Sequence, residues 1–499
     1  MGASDTTDPP MSPTGPGGDS RRFAAYAIFL AALAGGMGWG IRGQYGHESG
    51  AMVAGVLTSL TLVMLFAPHL TPLNGLRAAA MMTVAIGLGG SMTYGQTVGL
   101  THDAELIGHW GALRWGMLGL FLKGGLWIGF AAMALGMGLG GVRYRATEIA
   151  LLLALLCALT FIGMAWLNAP FEPEQKRLPW IYFSDHWQFE PDRDLHPRRE
   201  IWGGLLLALL TLATYVRWIR TDRLAGRMAV IGFLAGGLGF SGAQCVQAFR
   251  RWSPDIFTEG ALAPFAGVLQ HVNWWNTMET IFGMIFGGGL ALGLWMNRKL
   301  IQANSESAPA ALPPLAEMGM IAAHLALLLL ATFVDFSQPF DLIDFYVDHG
   351  ILMAALPLIG VVGGRWWPGF LLFPVVAAPI AGKTLRQVSY RTDLLTPEIG
   401  WLLLIALPLS FATAGAIWFT GLCQPHRSAR TVAARCLLPT IWLYFGLNTV
   451  FFQFAWPWTD PWTMRTPHQT IFGLFAVTLT VAAILHSVGR SRPPLLRRH

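Results

Sequence analysis

Apolar positions in this 499-residue chain fall in long, nearly unbroken runs, and the polar positions gather between them. Runs of 18 or more residues recur from residue 23 to residue 487. A helix of about 20 residues crosses a hydrocarbon core of about 30 Å, so each run is long enough to span a bilayer. The period-2 alternation that a membrane β-barrel needs is absent. The pattern predicts an all-α polytopic integral membrane protein with about 14 transmembrane helices. The expected spans are 23–41, 49–66, 77–97, 113–140, 147–168, 201–217, 228–247, 276–297, 316–334, 349–363, 368–382, 398–420, 436–454 and 468–487.

Polar segments set the remaining boundaries. Residues 1–22 are rich in Pro, Gly, Ser, Thr and Asp and end in Arg21–Arg22, which reads as a disordered cytoplasmic tail. "SRRF" (20–23) loosely resembles a twin-arginine export signal, but the many later spans favour an uncleaved first helix. Residues 23–487 read as a single transmembrane helical domain, and 488–499 as a basic cytoplasmic tail. The longest polar insert, 169–200, is too short to hold a core of its own.

The runs also resemble one another. "GGMGWGIRGQ" (35–44), "GGSMTYGQ" (89–96) and "GGLGFSGAQ" (236–244) each close an apolar run with Gly-Gly and then Gln. "NTMETIFGMIFGG" (276–288) and "TPHQTIFGLFAVT" (466–478) share TIFG. This predicts an array of repeated helical hairpins, up to seven, each with a polar elbow. Small residues let transmembrane helices approach closely, so the Gly-Gly pairs are expected at helix contacts.

Composition supports the membrane reading, with 54% hydrophobic and only 12% charged residues, against about 25% charged in a soluble domain. Charge then orients the chain. With a cytoplasmic amino terminus, the inner segments carry 19 of the 33 Lys and Arg and 5 acids, while the outer segments carry 13 Lys and Arg and 20 of the 27 acids. Retention of positive charge on the cytoplasmic side selects this orientation, in a plasma (inner) membrane with both termini cytoplasmic. The basic residues are scattered over many short loops, so no nucleic-acid partner is implied. The bilayer itself is the expected partner.

Candidate chemistry collects in the outer elbows. Glu48, Glu279 and Asp348 open inward-running helices and are candidate catalytic carboxylates, with Glu48 and Glu279 the preferred pair. Singly, each also suits a helix start, where an acid meets the positive end of the helix dipole. Asn276-x-x-Glu279 has capping-box spacing. Around them stand candidate substrate-binding residues: Arg42, Gln44 and His47 in the first elbow, Arg114, then His271, Trp275 and Asn276 in "QHVNWWNTMET", His349, and Asp460 and His468 in "FAWPWTDPWTMRTPHQ". Trp beside Asn, His and acids is a mixture that binds sugars, and it also fits an aromatic belt at the interface. Arg42, Arg114 and Arg465 are suited to hold phosphate.

Imidazole–carboxylate neighbours recur at His47-Glu48, His102-Asp103, Asp185-His186 and Asp348-His349, but none has a spacing that names a metal site. Lys123 and His324 lie inside spans, where ionisable groups are functional candidates. No Walker motif, GxSxG, HExxH, EF-hand loop or Rossmann fingerprint is present, which argues against an ATP-driven pump or a familiar hydrolase. The sequence supports an enzyme acting on a saccharide or lipid-linked saccharide from the outer face through paired carboxylates. A secondary transporter of a small polar solute and a scaffold without chemistry are the alternatives. It names no cofactor and no oligomeric state.

Overall fold

The computed structural model describes residues 16–184, 186–190, 196–302, 310–334, 341–424 and 427–488. Among them every regular element is helical, apart from one isolated bridge between Glu172 and Arg177. Among the described residues eleven helices are long and apolar enough to cross a bilayer, so the protein is a multi-pass helical membrane protein by length and composition. Three of the fourteen expected stretches do not meet that requirement. Pro72–Leu88 has 17 residues and then tightens into the 3₁₀ turn Gly89–Ser91. The stretch at 350–363 is broken at Ala354 into Gly350–Met353 and Ala355–Gly363. Ala429–Phe451 is long enough but carries Arg430, Arg435 and Asn448.

Helices divide by how they meet their surroundings. Glu48–Phe66 is apolar on all sides, and its apolar window is 100% buried. A helix hydrophobic all round belongs in a core, and this one packs between Pro16–Arg42, Pro72–Leu88 and Ala429–Phe451. Thr466–Val488 and Pro397–Leu422 are only 28% buried, so most of their apolar surface faces outward, as lipid contact requires. Their exposed leucines, phenylalanines and tryptophans have no aqueous explanation.

Several glycines sit where helices meet. Helix Pro16–Arg42 lies against Trp274–Met296, and a Cβ on Gly35 would collide with the Gly283 backbone. Helices Trp110–Leu139 and Arg223–Trp252 meet in the same way at Gly124 and Gly236. Gly90 lies against the backbone of His47 and Glu48, which pins the end of the third helix beneath the first elbow. A larger side chain at any of these would push two backbones apart.

The insert at 169–200 is anchored deeply. Glu200 is 2% exposed and pairs with Lys123 at 2.8 Å. Its carboxylate also accepts from the Ser184 hydroxyl (2.7 Å), the Phe183 amide (3.0 Å) and the Trp202 indole (3.1 Å). Lys123 Nζ further donates to the Thr93 carbonyl and Thr97 Oγ1. The insert is thus fixed at its base. His324 is also an internal packing group, with Nδ1 2.6 Å from the Tyr346 hydroxyl.

Candidate functional site

The first elbow forms because helix Pro16–Arg42 stops and Glu48–Phe66 starts within five residues. The Tyr45 amide donates to the Arg42 carbonyl at 2.8 Å, and Gly46 takes φ +87° to complete the turn. That left-handed backbone suits glycine. Tyr45 is driven inward, with no exposed surface, against Phe451 and within 3.4 Å of Thr384 Oγ1.

Arg42 turns beneath the elbow into a cage of rings. Its guanidinium carbon lies 4.6 Å from the Trp39 ring centre, 5.2 Å from Tyr94 and 5.3 Å from Trp127. It donates to the Tyr94 hydroxyl and, at 3.4 Å, to Glu279 Oε1. Glu279 Oε1 also accepts from the Tyr94 hydroxyl (2.9 Å) and the Trp275 indole (3.2 Å), and Oε2 lies 3.4 Å from Asn276 Nδ2. Asn276 Nδ2 reaches back to the Gly40 carbonyl at 2.6 Å.

This network corrects the capping reading of Glu279. Helix Trp274–Met296 is capped by Asn273, whose side chain accepts from the Asn276 amide at 3.0 Å. The cap therefore lies three residues before Asn276, and Glu279 falls in the second turn, where it faces Arg42. A buried carboxylate needs such a cation and donors.

A separate pocket opens beside this network. It encloses about 520 Å³ and draws its walls from four segments: Gln44 of the elbow, Lys383 to Arg391, Phe451 to Gln453, and Thr463 to Arg465. Four of its wall residues, Lys383, Arg386, Arg391 and Arg465, are cationic, and none is acidic. The local fold explains the clustering. Residues Arg386–Arg391 form a π-helical turn, in which residues five apart stack, so Arg386 and Arg391 share a face. Lys383 is one helical turn earlier. Gln453 and Phe454 hold left-handed backbone at φ 53° and 58°, a strain that structures concentrate at functional sites.

The pocket and the network are electrically joined. Lys383 lies in the field of the Glu48 carboxylate, and Arg465 in that of Glu279. Arg465 also lies over the Phe452 ring at 4.3 Å. His47 sits edge-on to Tyr94 at 5.3 Å. Burial, and then the charges of Arg42, Lys383 and Arg198, push its pKa down to about 3, so its imidazole is neutral.

The expected site residues therefore separate. Arg42, Trp275, Asn276 and Glu279 are in direct contact, His47 adjoins them and Gln44 lines the pocket. Three others have different surroundings: His271 packs on Trp462, His468 lies 3.1 Å from Thr277 Oγ1, and Asp460 is exposed. Arg114 is exposed on helix Trp110–Leu139 and touches none of these groups. His349 packs on Phe345 and Phe161, and Asp348 closes helix Asp341–Asp348 with its side chain outside the described residues. Asp185 also lies outside them. Among the described residues no three of His, Cys, Asp and Glu gather as a metal-ligand set.

Sequence reasoning missed Tyr94, Lys383, Arg386 and Arg391. The available signal was "GKTLRQVSYR" (382–391), a basic run at the end of the expected span 368–382. No family model, curated protein or solved structure matches this chain.

Proposed function

We propose that the elbow end faces the extracytoplasmic side of a plasma (inner) membrane, with both termini cytoplasmic, and that its basic pocket binds the phosphate of a lipid-linked saccharide for sugar transfer. The orientation rests on the charge asymmetry between the two sets of loops. The reading of the pocket rests on one observation: four cations and no acidic wall residue around about 520 Å³, with the Glu48 carboxylate acting on Lys383. A phosphate is the ligand that such a cluster of guanidinium and ammonium groups matches.

In this reading the acceptor hydroxyl gives its proton to Glu48 as its oxygen bonds to the anomeric carbon. The bond from that carbon to the phosphate oxygen breaks. The leaving phosphate keeps the electron pair, and Lys383, Arg386, Arg391 and Arg465 hold it. Gln44 and Gln453 offer amides to the sugar hydroxyls. Glu279 has a positioning role, because Tyr94, Trp275, Asn276 and Arg42 already surround its oxygens. That disfavours an acid–base pair of Glu48 and Glu279, and with it glycoside hydrolysis. A path through the membrane is disfavoured too: Lys123 and His324, the ionisable groups it would use, are engaged by Glu200 and Tyr346.

The test pairs binding with turnover in the full-length protein. Pyrophosphate should raise its thermal stability, Lys383→Met should abolish that rise, and Glu48→Gln should keep it. With a polyprenyl-phosphate-linked hexose as donor, Glu48→Gln should lose about 10²–10⁴-fold in transfer, the usual weight of a general base. No stabilisation by pyrophosphate overturns the pocket. Stabilisation without transfer from any such donor overturns the enzyme and leaves an anion-binding protein without chemistry. Orientation is read separately, by an impermeant thiol reagent on intact cells carrying a single added cysteine. Residue 190 should label and residue 10 should not, and the reverse pattern overturns the topology.

A further inference from the structure

The opposite end of the helices carries a second basic pocket, of about 700 Å³, between the start of helix Ala146–Leu167 and the π-helical turn Tyr215–Ile219. Its wall combines Arg143, Arg145 and Arg220 with one acid, Glu148, an excess of two positive charges. Glu148 is held within the wall. Arg220 pairs with it at 3.0 Å and the Tyr215 hydroxyl donates to it at 2.7 Å. Arg220 is itself fixed over the Tyr144 ring at 5.5 Å and bonded to the Arg143 carbonyl.

The other half of the wall is apolar. Leu151 and Leu155, one helical turn apart, are 74% and 46% exposed and run from the arginines along the flank of the helix. That helix is the most apolar of the eleven candidate spans, and Ile162 and Trp166 continue its exposed side. A soluble anion would use only the charged half. A cationic pocket that continues directly into an exposed apolar strip at the end of a span has the shape of an amphiphile.

We infer that this pocket binds an anionic phospholipid, with the headgroup phosphate among the arginines and one acyl chain along Leu151 and Leu155. Arginines near a bilayer surface attract acidic lipid, and apolar surface beside them retains the chain. The site is independent of the elbow pocket and of any reading of its chemistry.

Native mass spectrometry of the full-length protein, extracted with equal amounts of phosphatidylglycerol and phosphatidylcholine, tests the assignment. Phosphatidylglycerol should be retained preferentially. Arg145→Gln should lower that retention by about fivefold, and Arg143→Gln with Arg145→Gln by about twentyfold or more, from roughly a fivefold contribution per surface cation. Leu151→Ser should weaken retention of phosphatidylglycerol without changing the response to inorganic phosphate. Both arginines are exposed, so thermal stability should stay at the parent value. Equal retention of the two lipids overturns the proposal, as does unchanged retention in the folded double variant. If inorganic phosphate displaces phosphatidylglycerol at equal concentration, the site is for a free anion and the lipid assignment fails.

Discussion

The two basic pockets contain the same kind of residue and lie beside the same kind of irregular backbone, yet they are built differently. The pocket at the elbow end takes its walls from segments up to about 400 residues apart, Gln44 to Arg465, and backs onto a buried network of Arg42, Tyr94 and Glu279. The pocket at the opposite end comes from one hairpin, residues 143–155 and 215–220, and opens sideways past exposed leucines. Cationic charge alone therefore does not distinguish the two proposed ligands. What lies behind the cations does: fixed polar groups and a carboxylate in one case, the lipid-facing flank of a helix in the other.

The sharpest way to break this contrast is to remove the network behind the elbow pocket. Arg42→Met leaves the Glu279 carboxylate buried without its cation, which should cost about 3–5 kcal/mol. Thermal unfolding in detergent measures it, and Glu279→Gln in the same chain should restore much of the loss. A variant as stable as the parent would show that Arg42 and Glu279 are not coupled. Phosphatidylglycerol retention at the other end should survive in whatever fraction remains folded.

A smaller effect is expected from packing. Gly35→Leu forces helix Pro16–Arg42 away from Trp274–Met296, and overpacking costs about 1–3 kcal/mol. Because those helices carry Arg42 and Glu279, stabilisation by pyrophosphate should weaken in step. Gly446→Leu, where a Cβ would meet nothing within 4 Å, is the control and should change neither. Equal behaviour of the two variants would show that the close approach at Gly35 does not position the site.

The smallest effect concerns pH. His186 donates through both ring nitrogens, to Asp103 at 2.9 Å and Glu190 at 2.7 Å, tying the 169–200 insert to the elbow end. The bond to Asp103, and then that to Glu190, raises the His186 pKa above its ordinary 6.5. Bonds from His102 and then His186 hold the Asp103 carboxyl below its ordinary 3.8. The histidine contribution is complete below pH 6.5 and fades as pH rises through the raised value. The carboxylate contribution is complete above pH 3.8 and fades as pH falls through the depressed value. Protease cleavage within the insert should therefore be slowest between those limits and quicken above them. Cleavage that ignores pH over that range would remove the clamp. Lipid retention at the opposite pocket, walled by arginines and no histidine, should be flat over the upper part of the same range.

Part of the elbow site was legible in advance. The Gly-Gly pairs and the polar residues that follow them point to close helix contacts and to Arg42, Trp275, Asn276 and Glu279. The register of the cap was not legible, because Asn273 and Asn276 are both good N-caps and only packing against Arg42 chooses between them. Lys383, Arg386 and Arg391 follow the expected span 368–382, and cations just beyond a span serve equally as topology markers. His349 and Arg114 are expected with the site only because both stand near the ends of predicted spans, and that says nothing about their distance from Arg42 and Glu279 once the helices pack.

The amino-acid sequence by itself determined that this is a multi-pass helical membrane protein, since long apolar runs without charge have no other stable setting. Its Gly-Gly pairs also marked places where helices approach closely, since glycine leaves room for two backbones. The tertiary structure alone decided which segments meet, that Glu279 is enclosed by Arg42, Tyr94 and Trp275, and that a π-helical turn gathers Arg386 and Arg391 onto one pocket wall. The physical reason is range. Hydropathy and glycine content act within a single helix and are written along the chain. The ion pairs and pocket walls join residues hundreds of positions apart, and their partners are fixed only when the helices pack.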